Sequence, residues 1–291
     1  MPPTASSRVH LVQHVDHLRV LLAEHRVRGG TVGFVPTMGA LHAGHLSLVD
    51  AARARSDLVV MSVFVNPLQF GPNEDFAAYP RDLAADRALA ASRGVDIVFA
   101  PDTEVLYPKT AAAPIRVIPE LDPPRWEAAV RPGHFAGVLT VVAKLFNIVR
   151  PDVAVFGQKD IQQATLIRAM TAALDFPIDI VIAPIVREAD GLAMSSRNVY
   201  LSAQERTHAR ALSRALRVAE ERWRAGERSA DALESAGKAV LDAETGVSTD
   251  YFAVVEPERL ELVGHAAPGS IIMVTARVGR IRLLDNIILG A

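Results

Sequence analysis

Five short apolar runs limit what this chain can fold into. Residues 31–36, 58–65, 96–100, 153–156 and 178–182 are rich in Val, Ile and Phe, and each is stopped by a proline or a glycine-bearing turn. Between them, apolar residues recur at helical spacing, as Leu46, Val49 and Ala52 do within 45–55, and again over 82–93, 138–149 and 161–174. An earlier stripe of Val15, Leu18, Leu21 and Leu22 ends at Gly29-Gly30. Strands apolar on both faces that alternate with amphipathic helices indicate an α/β fold, a parallel sheet with helices on both faces. A further β-like piece is expected at 115–118, inside Pro-rich sequence. The texture changes after Pro184. Ser202-Ala203-Gln204-Glu205 reads as a capping box opening a long helix to about residue 224. A second helix at 229–241 and strands at 251–255, 271–277 and 281–284 complete a smaller α+β unit. The expected domains are therefore 1–185 and 186–291.

Composition excludes several functions. The formal net charge is -2 over 291 residues, with no basic excess to hold nucleic acid. Cysteine is absent, which removes thiol catalysis, disulfides and thiolate zinc sites and agrees with a reducing compartment. Residues 1–7 lack an apolar signal core, and no apolar run is long enough to span a bilayer. The expectation is a cytoplasmic chain that binds neither membrane nor nucleic acid.

Residues 36–45 concentrate the candidate chemistry. A strand, a turn with Gly39 and Gly44, and a helix start bring free backbone N–H groups and the positive helix end to one place, an anion site. His42 and His45, three residues apart, can add donors to it. Spacing alone leaves open whether they serve an anion or merely fill a helix start; zinc is disfavoured because no third ligand lies nearby. Gly157-Gln158-Lys159-Asp160 repeats the design at another strand end, where open parallel sheets bind ligands. Lys159 suits a phosphate and Asp160 a ribose, while the tetrapeptide on its own reads as a β-turn with a solvated charge pair. Met194-Ser195-Ser196-Arg197-Asn198 places two hydroxyls and a guanidinium in one loop, a set suited to a polyphosphate, though alone it reads as a serine turn before a helix. Asn66, Gln69, Gln162 and Gln163 are amides near strand ends that can orient hydroxyls and carboxylates. Met38 and Phe156 read as core or pocket wall. His10, His14 and His17 are spaced to share a helical face, where solvation is the expected role.

Taken in order, the motifs carry a resemblance. Pro36-Thr37-Met38-Gly39-Ala40-Leu41-His42-Ala43-Gly44-His45, Phe64-Val65-Asn66-Pro67 with Gln69-Phe70, Tyr79-Pro80-Arg81, Arg131-Pro132-Gly133-His134-Phe135, Phe156-Gly157 with Lys159-Asp160 and Gln162-Gln163, and Met194-Ser195-Ser196-Arg197-Asn198 together resemble the pantothenate synthetases, or pantoate–β-alanine ligases. His-x-Gly-His alone marks only the wider nucleotidyltransferase superfamily, which includes class I tRNA synthetases. The resemblance implies a Rossmann-like first domain, a smaller C-terminal lid domain and a homodimer. It implies ATP-dependent adenylation of D-pantoate, then attack by β-alanine, with Mg²⁺ accompanying ATP. It assigns Met38, Gly39, Ala40, Leu41, His42, Ala43, Gly44, His45, Gly157, Gln158, Lys159, Asp160, Val186, Met194, Ser195, Ser196 and Arg197 to ATP. His45 is the implied proton donor, with His42, Lys159 and Arg197 beside it in catalysis. Gln69 and Gln163 match the pantoate-binding glutamines, and Gln69 also lies toward β-alanine. Two positions depart from the family pattern. Gln158 stands where many members carry Glu, and Asp86 follows Ala84-Ala85 where some have an acidic pair. A protein-bound Mg²⁺ at Asp86 is therefore not expected; phosphates and water hold such ions readily.

Overall fold

The structure, a computed structural model, describes residues 9–72, 74, 76–109, 114–121 and 123–290. The chain divides into two compact units. One is built on the chain up to Gly157 together with Leu166–Ala183; the other on Gln158–Thr165 with the chain from Pro184 onward.

The first unit holds a six-stranded, wholly parallel sheet. Its strands are β1 (His10–Val12), β2 (Val32–Thr37), β3 (Leu58–Val63), β4 (Ile97–Phe99), β5 (Val153–Gly157) and β6 (Asp179–Ala183), in the order β1-β4-β3-β2-β5-β6. The helices are α1 (Val15–Val27), α2 (Ala43–Arg53), α3 (Leu83–Ser92), α4 (Thr103–Leu106), α5 (Glu127–Val130), α6 (His134–Val149) and α7 (Ile161–Ala173), the last continuing from the second unit's residues. The period-2 alternation of the strands sorts the side chains onto two faces. Val32 and Phe34 of β2, with Ala154 and Phe156 of β5, join Leu18, Leu22, Phe146 and Ile167 in one core. Val35, Val153 and Val155 join Leu48, Val49, Ala52 and Ala90 in the other. Helices thus cover both faces, as the apolar runs require. The chain leaves β2 for β3 on one side, and β5 pairs with β2 on the other. The turn after β2 therefore lies at the switch point where open α/β sheets bind ligands.

Three local expectations are corrected. Residues 115–118 form no strand. Ile115 is 82% exposed and Ile118 68%, and the Val117 N–H donates to Thr140 Oγ1 at 3.0 Å rather than to a ladder. The helix expected from Val138 begins at His134, because Gly133 takes the left-handed conformation (φ +80°) that turns the chain into it. His10 lies in β1 and His14 caps α1, so His10, His14 and His17 do not share a helical face.

The second unit packs α8 (Ala203–Arg224) and α9 (Ala230–Asp242) on an antiparallel sheet, β7 (Val247–Val255), β8 (Ile271–Val278) and β9 (Ile281–Ile288). The capping box at the start of α8 is present: Ser202 Oγ accepts from the Glu205 N–H at 3.2 Å, and Glu205 Oε2 from the Ser202 N–H at 2.8 Å. Leu212 and Leu216 of α8, Leu233 of α9, and Phe252, Val254, Ile272 and Val274 of the sheet make its core. Among the described residues, no helix of either unit is long and apolar enough to cross a membrane.

Candidate active site

In the first unit, the chain leaving β2 makes a tightly braced turn. Thr37 Oγ1 donates to the Ser62 carbonyl at 2.7 Å and accepts from the Gly39 N–H at 3.2 Å. Gly39 (φ +82°) and Ala40 (φ +51°) both adopt left-handed backbone, which costs a non-glycine residue roughly 1–2 kcal/mol. Asp86 of α3, only 3% exposed, holds that strain in place. Its Oδ2 accepts from the Ala40 N–H at 3.1 Å and its Oδ1 from the Leu41 N–H at 2.8 Å. A Cβ on residue 39 would lie 2.6 Å from Asp86 Oδ2, so the brace also requires glycine there.

The turn delivers His42 to the N-cap of α2. His42 Nδ1 accepts from the Gly44 N–H at 3.1 Å, and His45 Nδ1 from the His42 N–H at 3.3 Å, a capping box made of two imidazoles. Their ring centroids are 4.1 Å apart. A backbone N–H can only donate, so each Nδ1 is an acceptor. In the neutral ring the proton then sits on Nε2. Two Nε2–H donors are thereby fixed at the positive end of an eleven-residue helix, an arrangement suited to a phosphate.

A second group surrounds Gln69. After β3, Asn66 caps the short 3-10 turn Pro67–Gln69, with Oδ1 accepting from the Leu68 N–H at 3.3 Å. Asn66 Nδ2 donates to Gln69 Oε1 and to the Gly137 carbonyl, both at 3.1 Å, and Gln69 Nε2 meets Met38 Sδ at 3.0 Å. A Cβ on residue 137 would fall 2.2 Å from the Leu68 carbonyl oxygen, so a glycine in α6 lets the turn seat against it. The Gln69 carbonyl bonds His134 Nδ1 at 2.8 Å, which makes Nδ1 the donor and leaves His134 Nε2 to accept from Arg131 at 2.9 Å. Arg131 forks onto Glu74 at 2.8 and 2.6 Å.

That fork has a pH consequence. The Arg131 hydrogen bonds hold the Glu74 carboxyl below its ordinary value of 4.5, against the opposing effect of burial. A carboxyl lowered by folding contributes stability that is fully present above its unfolded value and is lost as pH falls through the folded one. The wild type is expected to lose its melting-temperature advantage over Glu74→Gln as pH falls below about 4.5. Thermal melts of both proteins from neutral pH to pH 3 measure this; a constant difference across that range rules it out.

In the second unit, Gln158–Asp160 forms a 3-10 turn pinned from β9. Asn286 Nδ2 donates to the carbonyls of Gln158 and Lys159 at 3.0 Å each, and Asn286 Oδ1 accepts from Gln158 Nε2 at 3.0 Å. Gln158 is thus a structural link between this turn and β9. Lys159 Nζ stands 3.8 Å from Asp160 Oδ2. Arg187 forks onto Asp285 at 2.6 and 2.9 Å; burial pushes that carboxyl up, and the guanidinium opposes the shift. The Val186 carbonyl accepts from the Met194 N–H at 3.0 Å, which brings those two residues together across a hairpin. Ser195 Oγ accepts from the Arg197 N–H at 3.2 Å, and Asn198 Nδ2 anchors the segment to Glu188 and to the Ala193 carbonyl. Gln163 lies in the first turn of α7, half-buried.

The structure thus joins Met38 to Gln69 and His42 to His45 in the first unit, and Val186 to Met194 in the second. Three contributors were not visible as such in the sequence: Asp86 as a backbone brace, Tyr107 beside Asn66, and Asn286 behind Lys159. Phe156 is core, packed edge-on to Phe146 at 6.3 Å. Among the described residues, no group of three or more His, Asp or Glu side chains is placed to hold a metal ion. Both oxygens of Asp86 are engaged by backbone N–H groups.

Comparison with known proteins follows the same lines. Residues 10–288 match the family model described as Pantoate-beta-alanine ligase. A pantothenate synthetase of Acidobacterium capsulatum is 54% identical over 270 residues, spanning 91% of this chain and 90% of the relative. The crystal structure of pantothenate synthetase from Thermus thermophilus superimposes with a TM-score of 0.90 at 48% identity, covering 96% of this chain and 99% of that one. A pantoate–β-alanine ligase from Francisella tularensis, crystallised with a β,γ-ATP compound and β-alanine, gives 0.78 at 31% identity over 97% and 98% of the two chains. The α/β architecture with a separate small antiparallel sheet is that of these structures.

Proposed function

The chain belongs to the pantoate–β-alanine ligase family, and on that premise we propose how its residues carry out the reaction. The enzyme condenses pantoate with β-alanine, using ATP. In the route we favour, a carboxylate oxygen of D-pantoate attacks the α-phosphorus of ATP. The bond from that phosphorus to the bridging oxygen breaks, and pyrophosphate leaves. The β-alanine amine then attacks the acyl carbon, the carbon–oxygen bond to AMP breaks, and pantothenate forms as the amine proton is lost.

The first step brings two anions together, so positioning and charge neutralisation supply most of the catalysis. The observation that carries this reading is the imidazole pair with both Nδ1 atoms tied to backbone N–H groups at the start of α2. His45 Nε2–H is the donor toward the phosphate oxygens that gain charge, and His42 a second phosphate ligand. Lys159, Ser195, Ser196 and Arg197 serve the triphosphate, and Asp160 the ribose. The remaining nucleotide contacts come from Met38, Gly39, Ala40, Leu41, Ala43, Gly44, Gly157, Gln158, Val186 and Met194. Gln69 and Gln163 bind the hydroxyls and carboxylate of pantoate, and Gln69 also serves β-alanine. ATP-dependent ligation implies a divalent metal. We assign Mg²⁺, held by phosphates and water, because the described residues form no metal cage and Asp86 is engaged elsewhere. A homodimer working in the cytoplasm belongs to the same proposal.

Isotope exchange between pyrophosphate and ATP tests the route. Exchange is expected with D-pantoate present and β-alanine absent, and none without pantoate. Exchange that required β-alanine would eliminate a free acyl adenylate.

A further inference from the structure

A neutral amide can present either its oxygen or its nitrogen to a ligand, and the two orientations have nearly the same shape. What chooses between them at Gln69 is a chain of hydrogen bonds that begins away from the ligand. Asn66, 1% exposed, has all four of its side-chain positions filled. Its Nδ2 donates to Gln69 Oε1 and to the Gly137 carbonyl. Its Oδ1 accepts from the Leu68 N–H at 3.3 Å and from the Tyr107 hydroxyl at 3.0 Å. The Leu68 bond is long, so Tyr107 supplies the shorter of the two donors that hold Asn66 with its oxygen toward them. With Asn66 set, Gln69 must turn Oε1 to Asn66, and its Nε2 faces Met38 Sδ. A thioether is a weak acceptor, so a ligand oxygen that replaced it would form a stronger bond.

We propose that Tyr107 is a positioning residue for substrate recognition: through Asn66 it fixes the Gln69 amide with its N–H edge offered to the acid, so that this subsite takes an acceptor oxygen, a carboxylate or a hydroxyl lone pair. The proposal rests on the reading that Gln69 binds pantoate. The Tyr107 ring is held independently of its hydroxyl, with the Phe64 ring centroid 6.2 Å away and Lys144 Nζ 5.8 Å over its face. Burial pushes the Tyr107 hydroxyl up, so it remains a donor throughout the working pH range. Tyr107→Phe therefore deletes the donor and leaves the ring.

Steady-state kinetics decide the matter. Loss of one buried neutral hydrogen bond corresponds to about three- to tenfold in affinity. Tyr107→Phe should raise KM for pantoate by about that factor, while KM for ATP stays within about twofold. A purely structural role would move both constants together; that result, or no change in either, overturns the proposal. Gln69→Ala separates the two layers. If it leaves KM for pantoate unchanged, Gln69 is not a pantoate ligand; if it raises KM while Tyr107→Phe does not, the ligand assignment stands and the relay fails. Should Tyr107→Phe not fold, the unaltered protein carries the test. Slow solvent exchange of both Asn66 side-chain amide hydrogens by NMR supports the relay, and exchange as fast as an exposed amide overturns it.

Discussion

His45→Ala and Lys159→Ala are each expected to slow adenylate formation by about two to three orders of magnitude without unfolding the protein. A donor aimed at developing charge contributes roughly 3–4 kcal/mol to a transition state, and each 1.4 kcal/mol is tenfold in rate. His45 is held for that task by the His42 N–H on its Nδ1. Lys159 is held by the Asn286 bond to its own carbonyl and by the neighbouring one to Gln158. Neither side chain belongs to a hydrophobic core, so both variants should stay folded, with His45→Ala losing the bond its ring accepts from the His42 N–H. Single-turnover formation of acyl adenylate, run without β-alanine, is the measurement. If both variants adenylate at near-normal rates, the two residues leave the mechanism, whatever the family pattern says.

Asp86→Ala is expected to cost both stability and rate. The substitution strips acceptors from two N–H groups on a turn that already holds Ala40 in a strained conformation. Hydrogen bonds to a charged group contribute about 1.5–3 kcal/mol each, so the loss is roughly 3–6 kcal/mol. For a chain of this size, about 2–4 °C per kcal/mol, that lowers the melting temperature by roughly 10 °C. The relaxed turn also displaces His42 and His45, and a misplacement of about 1 Å can reduce a rate a hundredfold. Asp86→Asn keeps one acceptor and turns an NH₂ toward the other N–H, so it should fall between wild type and Asp86→Ala. Excess Mg²⁺ should rescue neither variant, since the carboxylate serves backbone. A variant that melts like wild type, or one whose activity returns with added metal, would contradict the brace.

What could be read from the sequence follows the range of the interactions. All strands of the large sheet except β1 announce themselves as apolar runs closed by proline or glycine. At three residues, His10–Val12 is too short to show a period, which is why His10 reads as helical. The box at Ser202 and Glu205 is a four-residue signal, and it forms as written. The segment 115–118 fails for a related reason: alternation predicts a strand only if one face is covered, and Ile115 and Ile118 face solvent. At the candidate site, the Gly39–His45 turn and its two histidines are legible because the contacts of the capping box lie in consecutive residues. Asp86 is not, because an aspartate in a helix looks the same whether it faces water or a backbone turn 46 residues earlier. The sequence does not mark Tyr107 either, 41 residues from the amide it orients.

The longest of these links bears on how the protein is made. Asn286 holds the Lys159 turn across a separation of 127 residues. A ribosome adding about 5–20 residues per second needs roughly 6–25 s to cover that stretch. Throughout that interval the nascent chain already carries the lysine, yet nothing has arrived to fasten its turn. The Lys159 turn is therefore fastened late in synthesis, after β9 has joined its sheet. On the proposed assignment of Lys159 to ATP, an unfinished chain carries that lysine unpinned and does not yet consume ATP.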